Sequence, residues 1–200
     1  MFYTPRDFAR FLDLVEYYHF DNVPSSFSHF KKLAKEERNQ LLNDLRQQNN
    51  LQIEIIAFCL MPNHYHFVLK QITTKGITKF TSNLQNGYAK YLNIRTKRTG
   101  PLFEPMFKAV RIETDEQLLH VSRYIHLNPA TGYIVEIKDL ESYPWSSFIY
   151  YLSDNYDKYP FVNTSIISGL IKNRENYKEF VYTQAEYQRE LAKIKHLLFE

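Results

Sequence analysis

The chain has 200 residues, 44% of them hydrophobic, with 25 Lys and Arg against 22 Asp and Glu for a net charge of +3. That suits one domain with appendages and a full core, and a charge so near balance does not by itself demand nucleic acid. One cysteine, Cys59, excludes a disulfide framework and points to a reducing cytoplasm, and no apolar run approaches the ~20 residues of a membrane span.

Thr4-Pro5-Arg6-Asp7 reads as a helix start, with Thr4 capping and Pro5 in the first helical position. Phe8, Phe11, Leu12 and Val15 follow at helical spacing. Residues 19–30, with Pro24-Ser25-Ser26, read as a loop, and Lys35 to about Gln48 as a charged helix with Leu41, Leu42 and Leu45 on one side. The apolar run from Ile53 to Leu60 and the stretch Phe67-Val68-Leu69, joined through Met61-Pro62-Asn63, predict a strand hairpin over 51–71. A second long helix is expected from Gly76 to Arg95, with an apolar face of Ile77, Phe80, Leu84, Tyr88, Tyr91 and Leu92. Arg95 to Pro101 is a basic, helix-breaking turn, and Leu102 to Ile112 reads as extended, most strand-like over Phe107–Ile112. Thr114 with Gln117 forms a capping box for a helix carrying Leu118, Leu119, Val121 and Ile125, which Pro129 should stop. Trp145-Ser146-Ser147-Phe148 opens a short aromatic helix, and residues 161–200 read as wholly helical. This order predicts an α+β fold with a mostly antiparallel sheet.

Three patterns bear on chemistry. His64 and His66 flank Tyr65 on a strand, so both imidazoles point to one side and could share a metal ion or a phosphate. A bare His-x-His is more often the polar face of a hairpin, and a metal needs at least one further ligand. Tyr124 and Asn128 stand one helical turn apart on one face, although Tyr124 could equally pack in the core and Asn128 cap the helix. Lys90, Arg95, Lys97, Arg98, Lys108 and Arg111 alternate with Tyr88, Tyr91, Phe103 and Phe107. Cations for phosphates and rings for bases make a single-strand-binding composition, while each cation alone is an ordinary solvated charge.

Four motifs in series resemble the single-tyrosine HUH transposases, most closely the REP-associated tyrosine transposases of bacteria. They are Met61-Pro62-Asn63-His64-Tyr65-His66, Gly100-Pro101-Leu102-Phe103-Glu104 with Phe107-Lys108, Arg123-Tyr124-Ile125-His126-Leu127-Asn128-Pro129, and Tyr143-Pro144-Trp145-Ser146-Ser147-Phe148. The resemblance implies a ferredoxin-like HUH core over residues 1–150 and a helical C-terminal extension over 151–200. It implies His64, His66 and Asn128 as ligands of a divalent metal, Mg²⁺ or Mn²⁺, and Tyr124 as the nucleophile. Tyr88 and Tyr91 are rival nucleophiles, but neither has Asn or Gln four residues on.

The implied reaction is transesterification of single-stranded DNA, often folded as a hairpin, through a 5′-phosphotyrosine and a free 3′-hydroxyl. A phenol is mostly protonated at neutral pH, so attack needs a base, a water or a nearby positive charge. Such a protein would work in the bacterial cytoplasm, on the nucleoid when bound to DNA, as a monomer or homodimer. A relative that binds DNA without cleaving it is the alternative; the lack of further Asp or Glu near the hairpin argues against an unrelated metallohydrolase. Family members open with a strand ahead of the first helix, whereas this chain reaches a helix cap by Thr4. The sheet is therefore expected to be open beside residues 64–69 or to borrow a strand from another chain.

Overall fold

The structure, a computed structural model, describes residues 1–153 and 158–190. By packing, the chain divides into two units, Met1–Glu54 with Leu69–Ala109, and Ile55–Val68 with the described residues from Val110 onward. The expected division at residue 150 is one of sequence organisation; the residues beyond it group with the second unit.

The first unit is built on α1 (Pro5–Tyr18), a short α2 (Phe27–Phe30), α3 (Lys35–Gln48) and α4 (Gly76–Thr96). Asp7, three residues into α1, turns back to accept from the backbone N–H of Thr4 (2.9 Å) and of Tyr3 (3.0 Å), closing the helix start. Phe8, Phe11 and Val15 of α1 and Leu84, Tyr88 and Leu92 of α4 are buried, and Phe2 stacks on Phe8 at 4.7 Å. Gly76 opens α4 because nothing larger fits: a Cβ there would lie 2.2 Å from the carbonyl oxygen of Gln52, which accepts from Ile72 and Thr73. Residues 27–30, expected as loop, make one helical turn because the Ser26 side chain accepts from His29 N–H.

The second unit holds most of the hairpin of β1 (Ile53–Leu60) and β2 (Tyr65–Gln71), closed by Met61 N–H donating to the His64 carbonyl at 2.8 Å. β1 is buried on both faces, and burial pushes the Cys59 thiol up from its ordinary range. Residues on the far side of the chain satisfy its other edge: Leu60 N–H donates to Trp145 O (2.9 Å), Ser147 N–H to Phe58 O (2.9 Å) and Asn163 N–H to Ile55 O (2.8 Å). Among the described residues the named sheet consists of β1 and β2.

The helices of this unit are α5 (Asp115–Thr131), α6 (Ser165–Leu170) and α7 (Arg174–Tyr182), with two 3₁₀ turns, Ile137–Ser142 and Phe148–Tyr151, between α5 and α6. The α+β class, its antiparallel sheet and the helical C-terminal region are thus as the sequence indicates.

Three expectations fail here. Phe107–Ile112 forms no strand: it runs irregularly, with Val110 91% exposed, since β-branched residues make a strand only beside a partner. Pro129 does not stop α5, which continues to Thr131. In the last turn a proline forfeits only the bond to the carbonyl four residues back, and Gly132 N–H still reaches Asn128 O at 2.8 Å. Residues 161–190 are not one helix: Asn173 caps α7 through its side chain, breaking the run after α6, and 191–200 lie outside the described residues.

Candidate active site

The hairpin turn and α5 supply the side chains of interest, all within the second unit. Thr114 Oγ1 accepts from Gln117 N–H at 3.1 Å and starts α5, while Gln117 Oε1 takes Glu113 N–H, one residue earlier than a standard box. From that start, Tyr124 lies on an outward face and is 49% exposed. Its ring stands edge-on to His66, with centroids 5.7 Å apart, and His66 stands edge-on to His64 at 4.9 Å. The two imidazoles thus come together at the start of β2, His66 within the strand and His64 in the residue just before it.

Each imidazole is set up as a neutral nitrogen donor. Partial desolvation lowers the pKa of His64; burial, and secondarily the neighbouring His64, lowers that of His66 to about 4. His64 Nδ1 lies 2.7 Å from Asn63 Oδ1, an acceptor, so the proton sits on Nδ1 and Nε2 carries the lone pair. His66 Nε2 is buried and has no hydrogen-bond partner among the described residues. A buried nitrogen without a partner is costly unless a ligand completes it.

Asn128, 6% exposed, sits one turn beyond Tyr124, and its Nδ2 donates to the Tyr124 carbonyl at 2.8 Å. That fixes the amide and turns Oδ1 the other way. No group of three His, Cys, Asp or Glu is gathered as a metal would need among the described residues.

The rival tyrosines belong to the first unit and are occupied. Tyr88 is fully buried and donates to Met1 O at 3.2 Å; burial raises its pKa. Tyr91 donates to Asp7 Oδ1 at 3.1 Å, and desolvation and that carboxylate raise its pKa.

The cations divide. Arg95 pairs with the buried Asp7 carboxylate at 2.8 Å, so its guanidinium compensates a core charge. Arg98 donates to Pro101 O at 2.9 Å within the turn after α4. Lys90 and Lys97 are exposed. Lys108 and Arg111 are about nine-tenths exposed, each 3.8 Å from a glutamate, Glu104 and Glu113.

A family model described as transposase, IS200-like, matches residues 17–128. That is more than half of the chain, and it takes in His64, His66, Tyr124 and Asn128. The chain belongs to the IS200-like transposase family. Comparisons with curated proteins and with solved structures give no match. For a transposase family, DNA is the expected partner, and among the described residues no helix is long and apolar enough to cross a membrane.

Sequence reasoning passed over His126, two residues from both Tyr124 and Asn128 and on the opposite side of α5. It is fully buried, with both ring nitrogens engaged, by Tyr177 Oη (2.7 Å) and Ser147 Oγ (2.8 Å), and burial lowers its pKa to about 3. The available signal was the helical offset: a polar residue about 200° from Tyr124 must face inward.

Proposed function

We propose that this chain is a metal-dependent transposase and endonuclease of single-stranded DNA, of the REP-associated kind its motifs resemble, acting through Tyr124. The observation that carries the reading is the placement of Tyr124: half exposed and against His66, while Tyr88 and Tyr91 are tied into a core. His64 Nε2, the unpartnered His66 Nε2 and Asn128 Oδ1 are the donors that would hold Mg²⁺ or Mn²⁺. When bound, the metal supplies polarisation of the scissile phosphate and offsets charge building on its oxygens.

Tyr124 Oη attacks phosphorus; the bond from phosphorus to the 3′ oxygen breaks, that oxygen takes up a proton, and the phenolic proton leaves to solvent. The products are a 5′-phosphotyrosine and a free 3′-hydroxyl. No phosphodiester energy is lost to water, so attack by another 3′-hydroxyl reverses the step and joins strands. Exposed Lys90, Lys97, Lys108 and Arg111 and the Arg98 turn would hold the phosphate backbone.

The test is incubation of the full chain with labelled single-stranded hairpin oligonucleotides, in Mg²⁺, Mn²⁺ or chelator, followed by a denaturing gel and peptide mass spectrometry. An adduct on Tyr124 that requires metal is expected. DNA that binds without ever forming an adduct would make the chain a non-cleaving relative.

A further inference from the structure

The C-terminal helices hold α5 at points that aim its functional face. Leu118, Ser122 and Ile125 are buried on one face of α5 while His120 and Tyr124 are exposed on the other, so burial chooses the inward face only coarsely. Directional hydrogen bonds set the rotation more finely. Ser147 Oγ accepts from Phe58 N–H of β1 at 2.8 Å and lies 2.8 Å from His126 Nε2. On the other side of the ring, Tyr177 of α7 meets Nδ1 and donates to Ser122 Oγ at 3.0 Å. Since Tyr177 uses its proton on Ser122, it accepts from Nδ1–H, and Nε2 accepts from the Ser147 hydroxyl, for which it is the nearer acceptor at 2.8 Å against 3.2 Å to Phe58 O. The run of bonds fixes α5 against β1, and β2, which carries His66, is hydrogen-bonded to β1.

The far end of α5 is held as well. The last carbonyls of α5 lack helical donors, and Arg189 reaches in to donate through Nε to Ala130 O (2.9 Å) and through Nη2 to Val135 O (3.2 Å) just beyond the helix. Its guanidinium lies over the Tyr133 ring at 5.0 Å. Nearer the middle, Arg123 stacks on Phe180 at 4.3 Å.

We propose that Tyr177, through His126, and Arg189 are positioning residues that fix the rotation and end of α5, so that Tyr124 stays against His66. This rests on the reading of Tyr124 as the nucleophile. It gives the C-terminal region a part in the reaction through contacts to α5 made by Tyr177 and Arg189.

Tyr177→Phe deletes one oxygen and keeps the ring that packs on Tyr151 at 4.9 Å. In the full chain, kcat for strand cleavage should fall on the order of tenfold, with KM for single-stranded DNA within about twofold of the parent. In metal-free protein, the nuclear Overhauser contact between the Tyr124 and His66 rings should weaken, and the thermal midpoint should move by only a few degrees. Arg189→Gln should show the same pattern, more weakly. Parental kcat together with a parental Tyr124–His66 contact would overturn the proposal, as would a kcat loss matched by unfolding with that contact intact. If the parent itself forms no Tyr124 adduct, the transposase reading fails, while the ring contact in Tyr177→Phe still decides the positioning role.

Discussion

The two tyrosine-bearing helices, α4 and α5, use the same residue type for opposite ends. In α4, Tyr88 donates to Met1 O, and Tyr91 joins Arg95 on the buried Asp7 carboxylate. In α5, the core-facing polar position goes to His126, which leaves Tyr124 outward beside an imidazole. On the proposed reading, reactivity follows what each hydroxyl faces, and an aromatic-rich sequence with 16 tyrosines hides that difference until the helices are packed.

The sharpest way to break this contrast is at the hydroxyls. Tyr124→Phe should reduce the covalent adduct to background, on the order of a thousandfold or more, while Tyr88→Phe and Tyr91→Phe stay within a few-fold. A gel showing the adduct lost in Tyr91→Phe and kept in Tyr124→Phe would exchange the roles of the two helices. Next in size is His66→Phe, which keeps a ring but deletes the partnerless Nε2. Metal-dependent cleavage should drop about a hundredfold. Folding stability in chelator should stay level or rise by up to about 1 kcal/mol, because a buried nitrogen without a bond has gone.

The opposite trade is expected in the first unit. Asp7→Asn should cost about 2–4 kcal/mol in urea unfolding, since it leaves Arg95 with a weakened partner, yet adduct yield on the folded fraction should persist.

A pH series separates smaller terms. Burial lowers the His19 pKa to about 4, below the ordinary 6.5, so the unfolded chain takes up a proton first as pH falls. The contribution of this group is complete above about pH 6.5 and is lost as pH drops towards 4, amounting to about 2 kcal/mol by pH 5. His19→Gln should flatten that part of the stability profile, and an unchanged slope between pH 7 and 5 would contradict it. Smallest of all, Lys97→Glu and Arg98→Glu should each reduce the salt dependence of single-strand binding by about 0.7 in log–log slope. Arg95→Gln should instead appear in the thermal midpoint.

Much of this was legible because it is local. The charged pattern from Lys35 gave α3 its bounds, and Gly76 with its apolar spacing gave α4. The histidine pair and the Tyr124–Asn128 step follow from the periods of strand and helix. What was not legible depends on distant partners. Residues 107–112 carry strand-like side chains, but among the described residues no strand pairs with them. Arg95 reads as a nucleic-acid cation until Asp7, 88 positions away, claims it. His126 takes its meaning from Ser147 and Tyr177, 21 and 51 residues further on. Pro129 misled for a different reason: the rule that proline ends helices weakens in a final turn, where few bonds remain to lose.

The glycine that opens α4 sets a limit on how this chain could be diversified. At position 76 even a methyl group would fall 2.2 Å from Gln52 O, a backbone atom that cannot rotate aside, whereas a methyl group at Gly169 would meet none of the described residues within 4 Å. In a library randomised at every codon and sorted for folded protein, position 169 should accept a broad alphabet. Position 76 should return one letter, because there the fold reads the absence of a side chain.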